Sequence, residues 1–280
     1  MVDAAHISEY LNKIHKAHGA GDATEHTYRP ALKTLIESLG PAITATNEPK
    51  QQACGAPDYI IKQKDIPIGH IEAKDIGKDL SAIEKDSELA KPKSREGEQL
   101  KRYREALPNL IFTDYIEFRW YVSGKHRMTA QLDGDGSGEA EQVGELLNAF
   151  IEVKVPTISS PHDLAKRMAG MARLARMAIR SAFNTEEKDG SLHTQFRGFR
   201  KVLIETMSED EFADMYAQTI CYGLFAARCN HTGRSAFTRE KAAYELPKTN
   251  PFLRETFNHI AGPELDERVT WIVDDLAELL

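Results

Sequence analysis

Three side chains in this sequence have the types and spacing for metal-assisted chemistry on a phosphodiester. Asp58 heads the short apolar run YII, and Glu72 and Lys74 close the run PIGHIEAK, with thirteen residues between the two acids. The segment PDYIIKQKDIPIGHIEAKD reads as a β-hairpin: two runs rich in β-formers flank the polar, turn-like KQKD. Alternate residues of a strand share a face, so Glu72 and Lys74 point one way while Ala73 points into packing. Asp58 on the partner strand then faces Glu72 across the ladder. Two carboxylates held close repel each other unless a cation lies between them. Mg²⁺ prefers oxygen ligands and takes only one or two carboxylates, keeping several waters. Asp58, Glu72 and the Ala73 carbonyl form such a half-shell, in which a metal would acidify a bound water and offset charge on the phosphorane. Lys74, a compact cation, is placed to orient that water or stabilise the developing anion.

A solvated strand end also carries acids and lysines, but three further features favour a site. Ala56-Pro57 precedes Asp58, and proline suits the first position of a strand. Gln99 and Tyr103 lie four apart on a strongly helical segment and share a face. Glu25 stands near the start of an early helix and could supply a third acid. Pro30 follows five residues later and is comfortable only in a first turn, so the helix is expected to begin near Thr27, with Glu25 just outside it.

Pro57-Asp58, Glu72-Ala73-Lys74 and Gln99-x-x-x-Tyr103, in that order, resemble the PD-(D/E)xK nuclease motif in its RecB-like form, with Glu25 matching the acid on that fold's first helix. TDYIEFRWYVSG, EDEFADMYAQTICYGLFAAR and NPFLRETF are similar to the amino-terminal region of Type IIG and single-polypeptide Type I restriction-modification enzymes. The resemblance covers nearly the whole chain. It implies a Mg²⁺-dependent DNA endonuclease, with Mn²⁺ as a substitute metal. Asp58 and Glu72, with the Ala73 carbonyl, would bind the metal, joined by Glu25 through a metal-bound water. Lys74 would assist attack, and Gln99 and Tyr103 would brace the site or contact the DNA backbone. It further implies double-stranded DNA as partner, and methyltransferase and target-recognition domains beyond Leu280, where S-adenosylmethionine would bind.

Composition sets bounds on that reading. The chain has 280 residues, 41% of them hydrophobic, with a mean hydropathy of −0.47 and a net charge of −7. That length suits two modest domains or one large one. No apolar run is long enough to cross a membrane, and the N-terminus lacks an apolar signal core. With the resemblance, these absences imply a bacterial cytoplasmic protein with no membrane partner. Three cysteines, Cys54, Cys221 and Cys229, fit a reducing compartment. The acidic balance counts against tight DNA binding by this chain alone, since such proteins are usually basic. Two basic groups soften this: Lys91, Lys93, Arg95, Lys101, Arg102 and Arg104 near the proposed site, and Lys166, Arg167, Arg173, Arg176 and Arg180 along one helix.

The pattern of elements predicts an α/β domain over residues 1–155, a mixed β-sheet flanked by helices in the order α-β-β-α-β-β-α and restriction-endonuclease-like, followed by an all-α helical domain over 160–280. Helices are expected over 3–18 and 24–39. GKDLSAIEKDSELAKPKSREGEQ is expected to be a partly ordered loop ahead of a helix over EGEQLKRYREALPN. LIFTDY and EFRWYVSG should form a second hairpin, with Phe118 and Trp120 in the core. LDGDGSGEAEQ has alternating acids as a calcium loop does, but without the flanking helices it reads as a turn. KVPTISSPHDL reads as a linker in which Ser160 caps a helix that has Pro161 at its first position. Helices then follow over 161–183, 192–207, 209–228, 238–246, 250–261 and 264–280.

The helical region shows no catalytic constellation. Cys221, Cys229 and His231 fit no zinc spacing and lack a fourth ligand, so buried cysteines and a surface histidine are expected. His193 and His259 have no evident partner, and the methionines of KRMAGMARLARMAI read as a packing stripe. Neither a P-loop nor a glycine-rich methyltransferase motif occurs. Two alternatives to the endonuclease stay open: a non-catalytic docking or connector module with a vestigial site, and a stand-alone DNA repair nuclease.

Overall fold

A computed structural model describes residues 3–19, 25–47, 55–64, 66–132, 137–153, 160–188, 190–202, 204–232, 237–246, 257 and 265–280. Two compact units emerge, one built from Met1–Glu48 and Pro57–Ile158, the other holding Ser159–Leu280.

The first unit is a six-stranded mixed sheet in the sequential order β1 (Ile43–Thr46), β2 (Tyr59–Gln63), β3 (Ile66–Ala73), β4 (Asn109–Thr113), β5 (Glu117–Val122) and β6 (Lys125–Gln131). Every neighbouring pair is antiparallel except β3 and β4, which run parallel. A parallel pair needs a crossover. Here it is helical: α3 (Leu80–Ser87) and α4 (Arg95–Ala106). The remaining helices of the unit are α1 (Ala4–His18), α2 (Glu25–Glu37) and α5 (Ser137–Glu152).

Side-chain alternation sorts the sheet into two faces. Ile71 and Ala73 of β3 join Tyr59 and Ile61 of β2 in one buried cluster with Ile7, Tyr10 and Ile14 of α1, Leu32 and Ile36 of α2, and Leu146 and Phe150 of α5. Glu72, between Ile71 and Ala73, therefore faces the α3–α4 side. On that side Arg119 of β5 donates to Ser81 and pairs with Glu84 of α3, and the Arg104 guanidinium of α4 lies 4.9 Å over the Tyr121 ring of β5. Both faces of β4 are covered, and all five of its residues are buried, as expected for a strand of a parallel pair.

Asn109 ties the layers together. Its amide donates to Ile68 O (2.7 Å) and Phe150 O (3.0 Å), and its carbonyl oxygen accepts from Trp120 Nε1 (2.7 Å). Gly69 makes room for this: a Cβ there would lie 2.4 Å from Phe150 and 2.8 Å from the Asn109 amide nitrogen.

Several expectations are corrected. Helix α2 begins at Glu25 rather than near Thr27, with Pro30 inside it; Thr34 Oγ1 donates to the Pro30 carbonyl. The expected loop after β3 contains α3, whose start is fixed by Asp79 accepting from Ala82 N (2.8 Å) and whose Leu80 and Ser87 are buried. Two strands escaped the reading: β1, and β6, whose residues are mostly exposed and so carry no apolar alternation. Phe118 is buried and Trp120 packs against the core, as expected. The acid-rich tip, expected to be a turn, is helical from Ser137 onward, where its SGEAEQ forms the first turns of α5; residues 133–136 and most of the linker fall outside the described residues.

In the second unit, the described residues form helices alone: α6 (Pro161–Thr185), α7 (Ser191–Val202), α8 (Glu209–Asn230), α9 (Arg239–Glu245) and α10 (Glu267–Leu279). Ser160 caps α6 by accepting from Asp163 N (3.1 Å), with Pro161 opening the helix. Helix α7 stops five residues short of the expected 207. The expected helix over 250–261 lies outside the described residues apart from Phe257. An edge-to-face aromatic stack of Phe183, Phe196, Phe199, Phe212 and Tyr216 joins α6, α7 and α8. No described helix is long and apolar enough to cross a membrane.

Candidate active site

The carboxyl end of β3 gathers most of the chemically interesting residues. Tyr59 pairs with Ile71, so Asp58, one residue before β2, sits opposite Glu72 on continuing that register. Asp58 and Glu72 are buried, 6% and 4% exposed. Asp58 Oδ2 accepts from the Ala73 N–H (2.8 Å), fixing its carboxylate to the strand that carries Glu72. Its Oδ1 accepts from Arg29 Nη2 (2.7 Å) on α2. The Tyr59 hydroxyl donates to the Arg29 carbonyl (3.0 Å), securing that turn of α2 against β2.

Lys74 is held just past the strand, where its N–H donates to Thr113 O (2.8 Å) and prolongs the β3–β4 ladder. Its ammonium donates to Glu72 Oε1 (2.6 Å) and Gln99 Oε1 (2.9 Å). The Gln99 amide in turn donates to the Tyr103 hydroxyl (3.1 Å). A continuous chain thus runs Glu72–Lys74–Gln99–Tyr103, joining β3 to one face of α4. Ser94 starts that helix by accepting from Gly97 N (3.0 Å), and its own N–H and hydroxyl donate to Asp86 of α3. The crossover helices therefore aim Gln99 at Lys74.

Burial and the carboxylates of Glu72 and Asp58 hold the Tyr103 phenol well above its ordinary pKa, so its hydroxyl keeps its proton at any physiological pH. Arg102, one residue earlier, is half-buried; its charge is disfavoured by burial, partly offset by Tyr103, Glu98 and Glu72.

The structure brings Asp58, Glu72, Ala73, Lys74, Gln99 and Tyr103 together. Glu25 opens α2, and its side chain lies outside the described residues. Among the described residues no three His, Cys, Asp or Glu side chains gather as a metal site. Two buried carboxylates, Asp58 and Glu72, stand together at this strand end. That donor set suits a hard cation such as Mg²⁺, which asks for only one or two carboxylates.

Arg29 is the residue that sequence reading missed. It lies four positions after Glu25, hence on the same face of α2, and that spacing was its only signal. The basic group near the site divides. Arg104 and Lys101 serve the fold, Arg104 donating to Gly124 O and Ser87 Oγ, and Lys101 to Leu89 O and Ala90 O. Lys91, Lys93 and Arg95 are exposed.

In the helical unit two expectations reverse. Cys229 is exposed, and the His231 imidazole is only 4% exposed, 3.2 Å from Glu245. Cys221 is buried as expected. His193 packs edge-on against Phe183 at 4.8 Å. Cys54 and His259 lie outside the described residues.

The fold and site define an α/β domain with a part-buried acid–lysine–glutamine–tyrosine chain at one end of its parallel strand pair. No family model matches the chain, and no curated protein matches it. Among solved structures it is similar to a cryo-EM DrdV–DNA complex, at 16% identity and a TM-score of 0.41, over 99% of this chain. The chain spans 27% of the length of that structure's chain.

Proposed function

We propose that the first unit is a Mg²⁺-dependent DNA endonuclease, the cleavage part of a restriction-modification enzyme of the kind the motif order resembles. The observation that carries this reading is Lys74, whose ammonium is fixed between Glu72 and Gln99 beside the Asp58–Ala73 contact. A half-buried lysine on a carboxylate would alone be an ion pair. The second tether, to a glutamine braced by Tyr103, fixes the ammonium from the α4 side as well as from β3.

Asp58 and Glu72 would hold the metal, and Mg²⁺ bound there supplies a polarised phosphate oxygen and a more acidic water. Every other role falls to the chain. The Ala73 N–H orients the Asp58 carboxylate, and the Tyr103 hydroxyl, neutral at working pH, holds Gln99 and through it the Lys74 ammonium. Lys74 contributes a fixed positive charge where negative charge develops on phosphate. Arg29 holds the Asp58 carboxylate through an ion pair of 2.7 Å.

A titration with Mg²⁺ and Mn²⁺, followed by calorimetry, tests the assignment. Wild-type chain should bind metal, and Asp58→Ala and Glu72→Gln should each lose that binding while melting cooperatively. A second reading has its own observation: Arg29 and Lys74 already neutralise both acids, and no third carboxylate joins them among the described residues. A non-catalytic docking module would be built this way. Metal binding absent from the wild type, with tight binding to a partner domain, would favour it.

A further inference from the structure

The amphipathic helix α7 turns Leu192, Phe196 and Phe199 toward the protein, the two rings packing on Phe212 at 5.4 and 5.6 Å. Thr194, Arg197, Gly198 and Lys201 fall at i, i+3, i+4 and i+7 and share one exposed face, with exposed Arg200 at its flank. A cleft of about 510 Å³ is lined by Arg197, Arg200, Lys201 and Glu205, three cations against one acid.

The anchoring of these arginines differs from that of their neighbours. Arg180 of α6 is paired with Glu209 (2.7 Å) and Asp210 (2.8 Å), and Arg176 lies 3.9 Å from Asp214. Arg197 instead donates to Lys188 O (2.6 Å) and Thr194 Oγ1 (3.0 Å), and Arg200 to Glu205 O (2.7 Å), with its guanidinium 5.7 Å over the Phe196 ring. Carbonyls, a hydroxyl and a ring orient these groups without cancelling their charge. In a chain of net charge −7, this face carries a net positive charge among the described residues, three cations beside the one acid Glu205.

Gly198 points the same way. Glycine inside a helix is destabilising relative to alanine, and a Cβ here would meet nothing within 4 Å. No neighbour in the described fold requires the absent side chain. A smooth strip between cations admits close approach of an extended polyanion.

We propose that this face of α7 docks the phosphodiester backbone of duplex DNA, in a sequence-independent way. Preset guanidinium forks match phosphate oxygens bidentately. A membrane surface is disfavoured because Leu192, Phe196 and Phe199 of α7 are turned toward the protein rather than outward. This proposal needs no catalysis by the first unit and is tested without it.

The test is fluorescence anisotropy of a labelled duplex with the full chain, in EDTA to prevent any cleavage, over a series of salt concentrations. Replacing Arg197, Arg200 and Lys201 by Gln should weaken binding at least tenfold and lower the salt slope by about 2–3, at roughly 0.9 per phosphate contact. Gly198→Leu should weaken binding at least threefold without lowering the melting temperature. This second variant decides the matter if the triple variant fails to fold. Arg176→Gln with Arg180→Gln, which remove paired charges, should change binding less than threefold. Four results would each overturn the proposal: no duplex binding by the wild type at low salt, unchanged binding by the triple variant or by Gly198→Leu, an equal loss in the Arg176/Arg180 control, or capture of phosphatidylserine vesicles in place of the duplex.

Discussion

Removing the Asp58 carboxylate separates the structural role of this acid from its proposed chemical one. Asp58 and Arg29 form an ion pair at 2.7 Å, with side chains only 9% and 11% exposed. Asp58→Ala leaves the guanidinium without this carboxylate and the Ala73 N–H without its acceptor. Breaking one side of a buried pair costs about 3–5 kcal/mol, and the orphaned amide pushes the value toward the upper end. At about 2–4 °C per kcal/mol for a domain of this size, the melting temperature should fall by roughly 6–20 °C. Adding Arg29→Met removes the guanidinium that faced Asp58 and should restore part of that loss, leaving at least the amide deficit of about 1–3 kcal/mol.

Arg29→Met alone leaves the opposite defect, a buried carboxylate without its guanidinium. If Asp58 holds a metal, Mg²⁺ at about 100 times its Kd should return roughly 2.7 kcal/mol to this variant and little to Asp58→Ala. Thermal melts by circular dichroism of the four proteins, with and without Mg²⁺, measure every term. An Asp58→Ala melt within about 2 °C of wild type would refute the buried-pair argument. An equal Mg²⁺ shift in Asp58→Ala and Arg29→Met would refute the metal assignment.

Two further predictions concern the fold around the site. Asn109→Ala strips the partners from Ile68 O, Phe150 O and Trp120 Nε1 in a buried setting. Denaturant titration should show a loss of about 3–5 kcal/mol, and a loss under about 1 kcal/mol would show that the three bonds are not shared across the layers. Burial pushes the Cys221 thiol up to about 12, so at pH 8 it is the unreactive protonated thiol. The pKa is raised, so the folded state resists ionisation and loses stability once pH passes the range in which the unfolded thiol ionises. Iodoacetamide at pH 8 should label exposed Cys229 and spare Cys221 until denaturant is added, as read by peptide mass spectrometry; equal native labelling would contradict the burial.

The spacing of Asp58, Glu72 and Lys74 was informative because a β-hairpin has a fixed period. Once YII and PIGHIEA pair, both acids must reach one end of the sheet. Gln99 and Tyr103 were legible for the analogous reason, one turn apart on a helix. Arg29 was not, because its contact with Asp58 depends on how α2 lies against the sheet, which no local pattern encodes. The strand β6 and the helix α3 were hidden by their polar residues. β6 takes its place from the neighbouring β5 ladder across the tight Ser123-Gly124 turn, and α3 from a long-range partner, Arg119 pairing with Glu84. The exchange of Cys229 and His231 between surface and interior has the same origin, since Glu245 and Phe237 of later segments cover the imidazole.

The central claim is that the chain from Glu72 through Lys74 and Gln99, with Asp58, hydrolyses a phosphodiester. Its most direct test is cleavage of plasmid DNA with Mg²⁺ by the protein carrying Lys74→Ala, compared with wild type and with folding verified for both. Wild type should cut in a Mg²⁺-dependent way, and both EDTA and Lys74→Ala should abolish the cutting. Retained cutting by Lys74→Ala at the wild-type rate would contradict it.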